Sequence, residues 1–186
     1  MKAVFVGGSR RLSKLSEEVR RRLTAIIEGG LWVYVGDANG ADRAVQQFFA
    51  DREYDRVLVY CVDGRYRNNL GHWDIKAVQP PSQARGFEYD AAKDIQMAAD
   101  ASYGMMLWDG FSRGTLANIR NLLAHRKPVA VYVSPRRQFR DLKGESDLAG
   151  LLSSILPGVR RTKARTDSPQ REIKLPTHSR TKGQGL

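Results

Sequence analysis

Five short apolar runs punctuate the chain, and between them apolar residues recur every three or four positions. The runs are Ala3-Val4-Phe5-Val6, Leu31-Trp32-Val33-Tyr34-Val35, Val57 to Val62, Tyr103 to Trp108 and Val129 to Val133. Each is four to six residues long and rich in β-branched or aromatic side chains, the pattern of a strand buried on both faces. Leu15, Val19, Leu23 and Ile26 mark a first helical stripe, with Ser13 or Ser16 suited to cap it, Glu17 and Glu18 to its first turn, and Gly29-Gly30 to its end. Ala41, Val45, Phe48 and Phe49 mark a second. A third, over Phe87 to Ala101, turns Ala91, Ile95 and Ala98 or Ala99 inward, and a fourth carries Leu116, Ile119 and Leu123. Ser146 is suited to cap a last short helix with Leu148, Leu151, Leu152 and Ile155. Residues 63–86 hold Pro80-Pro81 and no sustained period, which predicts a long loop, and Arg136 to Lys143 reads as a basic connection.

Strands alternating with helices predict an α/β fold, a doubly wound and mainly parallel sheet with helices on both faces. Counting the five expected strands along the chain, their order is 3-2-1-4-5. The winding then reverses between strands 1 and 4, and ligands of such sheets sit at the carboxyl ends of the strands beside that reversal.

Three glycine-bearing loops lead to that place: Gly7-Gly8-Ser9-Arg10, Gly36-Asp37-Ala38-Asn39-Gly40-Ala41-Asp42, and Asp109-Gly110-Phe111-Ser112-Arg113-Gly114-Thr115. The last opens a helix whose first N–H groups lack intrahelical partners and carry the positive end of the dipole, so that a phosphate there is stabilised. Gly110 and Gly114 would let a ligand approach the backbone, Ser112 and Thr115 add hydroxyls, and Arg10 and Arg113 supply cations. The plainer alternative is that Gly114 or Thr115 only caps the helix.

Composition divides the chain. With 186 residues, 41% of them hydrophobic, one domain over 1–157 and an extension over 158–186 are expected. The formal charge is +11, of which +6 lies in 158–186 and +5 in the rest. The extension has no apolar period and reads as a disordered basic tail, suited to non-specific nucleic-acid contact. Cys61 sits inside a strand-like run and reads as a buried structural thiol, while His72, His125 and His178 are scattered and propose no metal site. No cofactor is expected. There is no apolar run of eighteen residues and no signal-peptide pattern, so no membrane partner is expected, and a cytoplasmic protein of bacterial or phage type fits. Arg65, Tyr66, Arg67, His72, Trp73 and Arg85 in the 63–86 segment suit either cover over a ligand, contact with nucleic acid, or a plain surface excursion.

The three loops, in this order after these strands, resemble those of the SLOG superfamily, which takes in the Lonely Guy phosphoribohydrolases and the Rossmann-like domain of DNA-processing protein A. The second loop is similar to the G-x-x-x-G-A-D loop of small bacterial and phage members. The resemblance spans about residues 1–135. It implies a Rossmann-like fold, a homodimer as a common state, and a site for nucleotide-derived ligands drawn from Gly7, Gly8, Ser9, Arg10, Gly36, Asp37, Gly40, Asp42, Lys93, Asp109, Gly110, Ser112, Arg113, Gly114, Thr115 and Asn118. Lonely Guy enzymes carry P-G-G-x-G-T-x-x-E; here Asn118 stands in place of that glutamate, and Lys93 falls on the family's catalytic arginine. An amide cannot serve as a carboxylate base. Glu88, Asp94 and Asp109 remain as candidate catalytic carboxylates.

Three functions are therefore expected in order. The first is binding of a nucleotide or nucleotide-derived metabolite at the crevice. The second is hydrolysis or transfer at an N-glycosidic bond, of phosphoribohydrolase or deoxyribosyltransferase type. The third is single-stranded DNA binding like that of DNA-processing protein A.

Overall fold

The computed structural model of the chain describes residues 2–155. The basic tail over 158–186 lies outside them. The elements run β1 (Ala3–Gly8), α1 (Glu17–Glu28), β2 (Trp32–Gly36), α2 (Ala41–Ala50), β3 (Val57–Val62), β4 (Ile75–Val78), α3 (Phe87–Asp100), β5 (Tyr103–Trp108), α4 (Arg113–Ala124), β6 (Val129–Val133), β7 (Gln138–Leu142) and α5 (Glu145–Ile155).

One seven-stranded sheet has the order β4-β3-β2-β1-β5-β6-β7. All pairings are parallel except β6 with β7. The five strands expected from the sequence occupy the expected order at its centre. Each edge carries one strand more. β4 lies within the stretch expected to be a long loop, and β7 replaces the expected basic connection. β4 is only four residues long with its side chains half-buried or exposed, so it lacks the apolar run that marks a covered strand.

The central strand β1 is covered on both faces, which is why its sequence is apolar without alternation. Val4 and Val6 pack with Val19, Leu23 and Val45 of α1 and α2, whereas Ala3 and Phe5 pack with Met97, Ile119 and Leu122 of α3 and α4. Leu148 and Leu151 of α5 join the second layer. Burial of one such Leu, Ile or Phe side chain contributes about 1.5–3 kcal/mol.

Local signals fall close to expectation. Ser16 caps α1, its hydroxyl accepting from the Val19 N–H at 3.4 Å. Two expectations need correction. Ser146 lies inside the first turn of α5 and is not its cap; there the Gly144 carbonyl accepts from the Asp147 and Leu148 N–H groups. On α3, Ile95 faces solvent while Lys93 is buried.

The loops after β1 and β2 touch directly at Gly40. Its backbone has φ of 84° and ψ of −123°, a region open to glycine alone. A β-carbon there would lie 2.3 Å from the Arg10 carbonyl oxygen. Gly40→Ala is therefore expected to lower stability by about 2 kcal/mol or more, measured by denaturant unfolding. An unchanged midpoint would mean the two loops do not pack this way.

Candidate functional site

At the reversal of winding, between β1 and β5, the loops that follow the two strands are stitched together. The Ser9 N–H donates to the Leu107 carbonyl at 2.9 Å, and its hydroxyl donates to Asp109 Oδ2 at 2.8 Å. Gly8 is required by this approach, because a β-carbon would lie 2.4 Å from the Leu107 carbonyl oxygen. The Ser9 carbonyl accepts from the Ala41 N–H at 3.2 Å, which brings in the start of α2. Three loops thus converge at the carboxyl ends of the central strands.

Asp109 organises the loop that enters α4. Its Oδ1 accepts from the Phe111 N–H at 3.0 Å and the Ser112 N–H at 2.7 Å. Burial acts to raise its pKa, but those two backbone donors and the Ser9 hydroxyl outweigh it and hold the carboxyl below its ordinary value. Such a carboxylate is bound up in loop architecture. Gly110 has φ of 87°, so the turn itself calls for glycine. Ser112 is the N-cap of α4, accepting from the Thr115 N–H at 3.3 Å and from its hydroxyl at 3.0 Å. Gly114 is different. A β-carbon there meets nothing nearer than the Phe87 ring at 3.8 Å, so packing does not demand a glycine.

The floor is ionic. Lys93 of α3 is 4% exposed, with Asp94 Oδ1 at 2.7 Å and Asp37 Oδ1 at 3.8 Å from its ammonium. Burial alone would push its pKa down; Asp94, Asp42 and Asp37 outweigh that and hold it above its ordinary value. The Asn118 amide of α4 donates to the other Asp94 oxygen at 3.0 Å. Asp42 is buried at the start of α2 and accepts from the Ala38 N–H at 3.2 Å. Burial is the main cause that raises its pKa, with Asp94 and Asp37 adding to it against Lys93 and the Ala38 N–H, and the carboxyl is carried from an ordinary 3.8 to about 7. Gly36 gives this cluster its room, since a β-carbon there would lie 2.5 Å from Asp42 Oδ2 and 3.0 Å from Lys93 Nζ.

Asp37 is turned away from the crevice. Arg67, from the 63–86 segment, donates to it through the backbone at 3.0 Å and through two guanidinium nitrogens at 3.1 and 3.2 Å. Burial works against its charge, but these bonds hold its pKa below the ordinary value. Asn68 and Gln46 complete the seal, donating to the Asp37 and Gly36 carbonyls at 2.8 Å each.

The resulting crevice has a volume of about 520 Å³. Gly7, Gly8, Ser9, Arg10, Asp42, Lys93, Asp94, Asp109, Ser112, Arg113, Gly114, Thr115 and Asn118 line it as a group. Gly36, Asp37, Gly40 and Gly110 do not, and shape it from behind. Glu88 is exposed on α3 and outside the lining. Seven lining residues were not among the expected binding or catalytic residues: Phe5, Arg11, Ala38, Phe87, Asp90, Ala91 and Phe111. A signal existed for two of them, since Phe87, Asp90 and Asp94 are spaced to share one face of α3. Phe87 and Phe111 stand at the crevice 61% and 75% exposed.

Fold and site together define a Rossmann-like α/β protein with a crevice at the switch point of its sheet. The chain is similar in structure to DNA processing protein A from Helicobacter pylori, in a structure described for its unique single-stranded DNA binding mode; the TM-score is 0.55 at 14% identity, over 81% of this chain and 72% of that one. At that identity the likeness is one of fold. No protein-family model matches the chain, and no curated protein does. Among the described residues no helix is long and apolar enough to cross a membrane.

The Asp42 carboxyl gives stability a pH dependence. Its folded value near 7 lies above the unfolded 3.8, so the folded chain keeps a proton that the unfolded chain has released. The stability it contributes is fully present below about pH 4 and is lost as pH rises to 7. Asp42→Asn, neutral at every pH, is expected to match the parent near pH 4 and to gain on it by pH 8, read from urea midpoints. A pH-independent difference between the two would overturn this.

Proposed function

We propose that the chain binds a nucleotide or nucleotide-derived metabolite in the switch-point crevice, through its phosphate, and that binding is its task. One observation carries this reading: the first turn of α4 opens onto the crevice at Gly114, where no side chain intrudes, beside Arg10, Arg11 and Arg113. Backbone N–H groups at a helix start and arginine guanidinium groups are the donors that phosphate recognition uses. The resemblance to SLOG proteins supports the same ligand class.

Cleavage of an N-glycosidic bond is supported less. Asn118 stands where the family's glutamate would be, and its amide is spent on Asp94. Asp94 itself is held by Lys93 and Asn118, and Asp109 by three donors from its own neighbourhood. Single-stranded DNA is the second reading. The exposed rings of Phe87 and Phe111 favour it, because unpaired bases stack on such platforms, as does the structural neighbour described for binding single strands. The basic residues of 158–186 would add polyanion affinity that falls steeply with salt.

Gly114→Val tests the phosphate site. The position has ordinary helical surroundings and space for a β-carbon, so the variant should fold, as circular dichroism will verify. Titration calorimetry with AMP is expected to give at least a tenfold loss of affinity, about 1.4 kcal/mol, and no free base should be released by the parent. A folded Gly114→Val that binds AMP as tightly as the parent would sink the proposal.

A further inference from the structure

Arg10 does not stand open to a ligand. From the loop after β1 its Nη2 reaches α3 and donates to Asp90 Oδ2 at 3.0 Å, and both residues line the crevice. The other Asp90 oxygen lies 3.4 Å from Nη2 of Arg67, which is itself bound to Asp37. A carboxylate therefore occupies one of the three arginines that line the crevice with Gly114. The pair is open to water, with the Arg10 and Asp90 side chains 62% and 38% exposed. An exposed pair in high dielectric holds weakly. An incoming anion can break it, and Asp90 keeps Arg67 as a partner when Arg10 leaves.

We propose that Asp90 is an internal competitor for the ligand's phosphate: it latches Arg10 and must be displaced before Arg10 can bind that phosphate. Asp90 thereby sets the affinity of the site and links its occupancy to the segment that Arg67 anchors. The inference rests on the crevice being a phosphate site. A competitor that is part of the protein lowers apparent affinity by the fraction of time that it holds the binding group. The ion pairs Arg11 and Arg113 could offer as alternatives are absent among the described residues, so Arg10 is the one crevice arginine under such control.

A double-mutant cycle read with AMP decides it. Asp90→Asn keeps the shape and removes the charge, and it should tighten AMP binding roughly two- to fivefold, the range that an exposed pair allows. In an Arg10→Gln background, where there is nothing to latch, the same change should have little effect. Weaker binding by Asp90→Asn would mean that Asp90 positions Arg10 for the ligand, and the latch is wrong. An equal gain in both backgrounds would mean simple charge repulsion between Asp90 and the phosphate, and the latch is again wrong. If the parent binds AMP and Asp90→Asn changes nothing, only the latch fails. If no variant binds AMP, the phosphate site fails and the latch with it.

Discussion

A lysine ammonium at the base of a crevice keeps its charge only if carboxylates come with it, because an unpaired buried charge costs far more than a fold can spare. Lys93 meets this constraint with three aspartates from three places: Asp94 beside it on α3, Asp37 at the end of β2, and Asp42 at the start of α2. Asn118 ties α4 to the same knot through Asp94. The walls of the crevice are therefore positioned by one charge cluster. The surrounding details follow from making space for it, down to the missing side chain at Gly36.

The cluster also divides the crevice chemically. Its ammonium is already matched by carboxylates, so the floor has little positive potential left for an anion. Donors for phosphate lie higher, on the first turn of α4 and on the arginines of the rim. A ligand carrying both a phosphate and hydroxyl or amino groups fits such a division, with the phosphate outward and hydrogen-bond donors directed to the floor. Asp42, poised near neutrality, offers an acceptor there when charged and a donor when protonated.

What the sequence could convey depended on how each feature is encoded. The five central strands and their order were legible because strands covered on both faces are written as continuous apolar runs, and because β–α alternation admits few windings. The edge strands β4 and β7 were not, since an edge needs no apolar face; Gln138 to Leu142 reads as a charged connection until it pairs with β6. Periodicity placed Ile95 inward on α3 and was wrong there, because Lys93 takes a buried position that pairing makes tolerable and hydropathy cannot register. The glycines illustrate the same limit. Those of the three loops could be read as room for a ligand, yet Gly8, Gly36 and Gly40 make room for Leu107, for Asp42 and for Arg10, whereas a side chain at Gly114 would meet nothing nearer than the Phe87 ring at 3.8 Å. The Arg67 clamp on Asp37 joins residues thirty positions apart, a pairing no local pattern announces.

The balance between binding and turnover rests on the state of the carboxylates. Cleaving an N-glycosidic bond calls for a carboxylate with an oxygen free to meet the sugar or an attacking water. Asp109 has Oδ1 accepting from two backbone N–H groups and Oδ2 from Ser9. Asp94 has one oxygen on Lys93 and the other on Asn118. Freeing either would loosen the loop into α4 or uncover a buried ammonium, so both are committed to holding the crevice in shape. Of the other crevice carboxylates, Asp90 is paired with Arg10 and Arg67. Asp42 has its pKa raised to about 7, chiefly by burial, so it is partly protonated near neutrality; a neutral carboxyl can donate a proton but cannot stabilise a developing oxocarbenium ion by charge. The carboxylates that hold the crevice in shape are thus engaged with partners of their own, and that engagement supports the proposed binding reading over turnover.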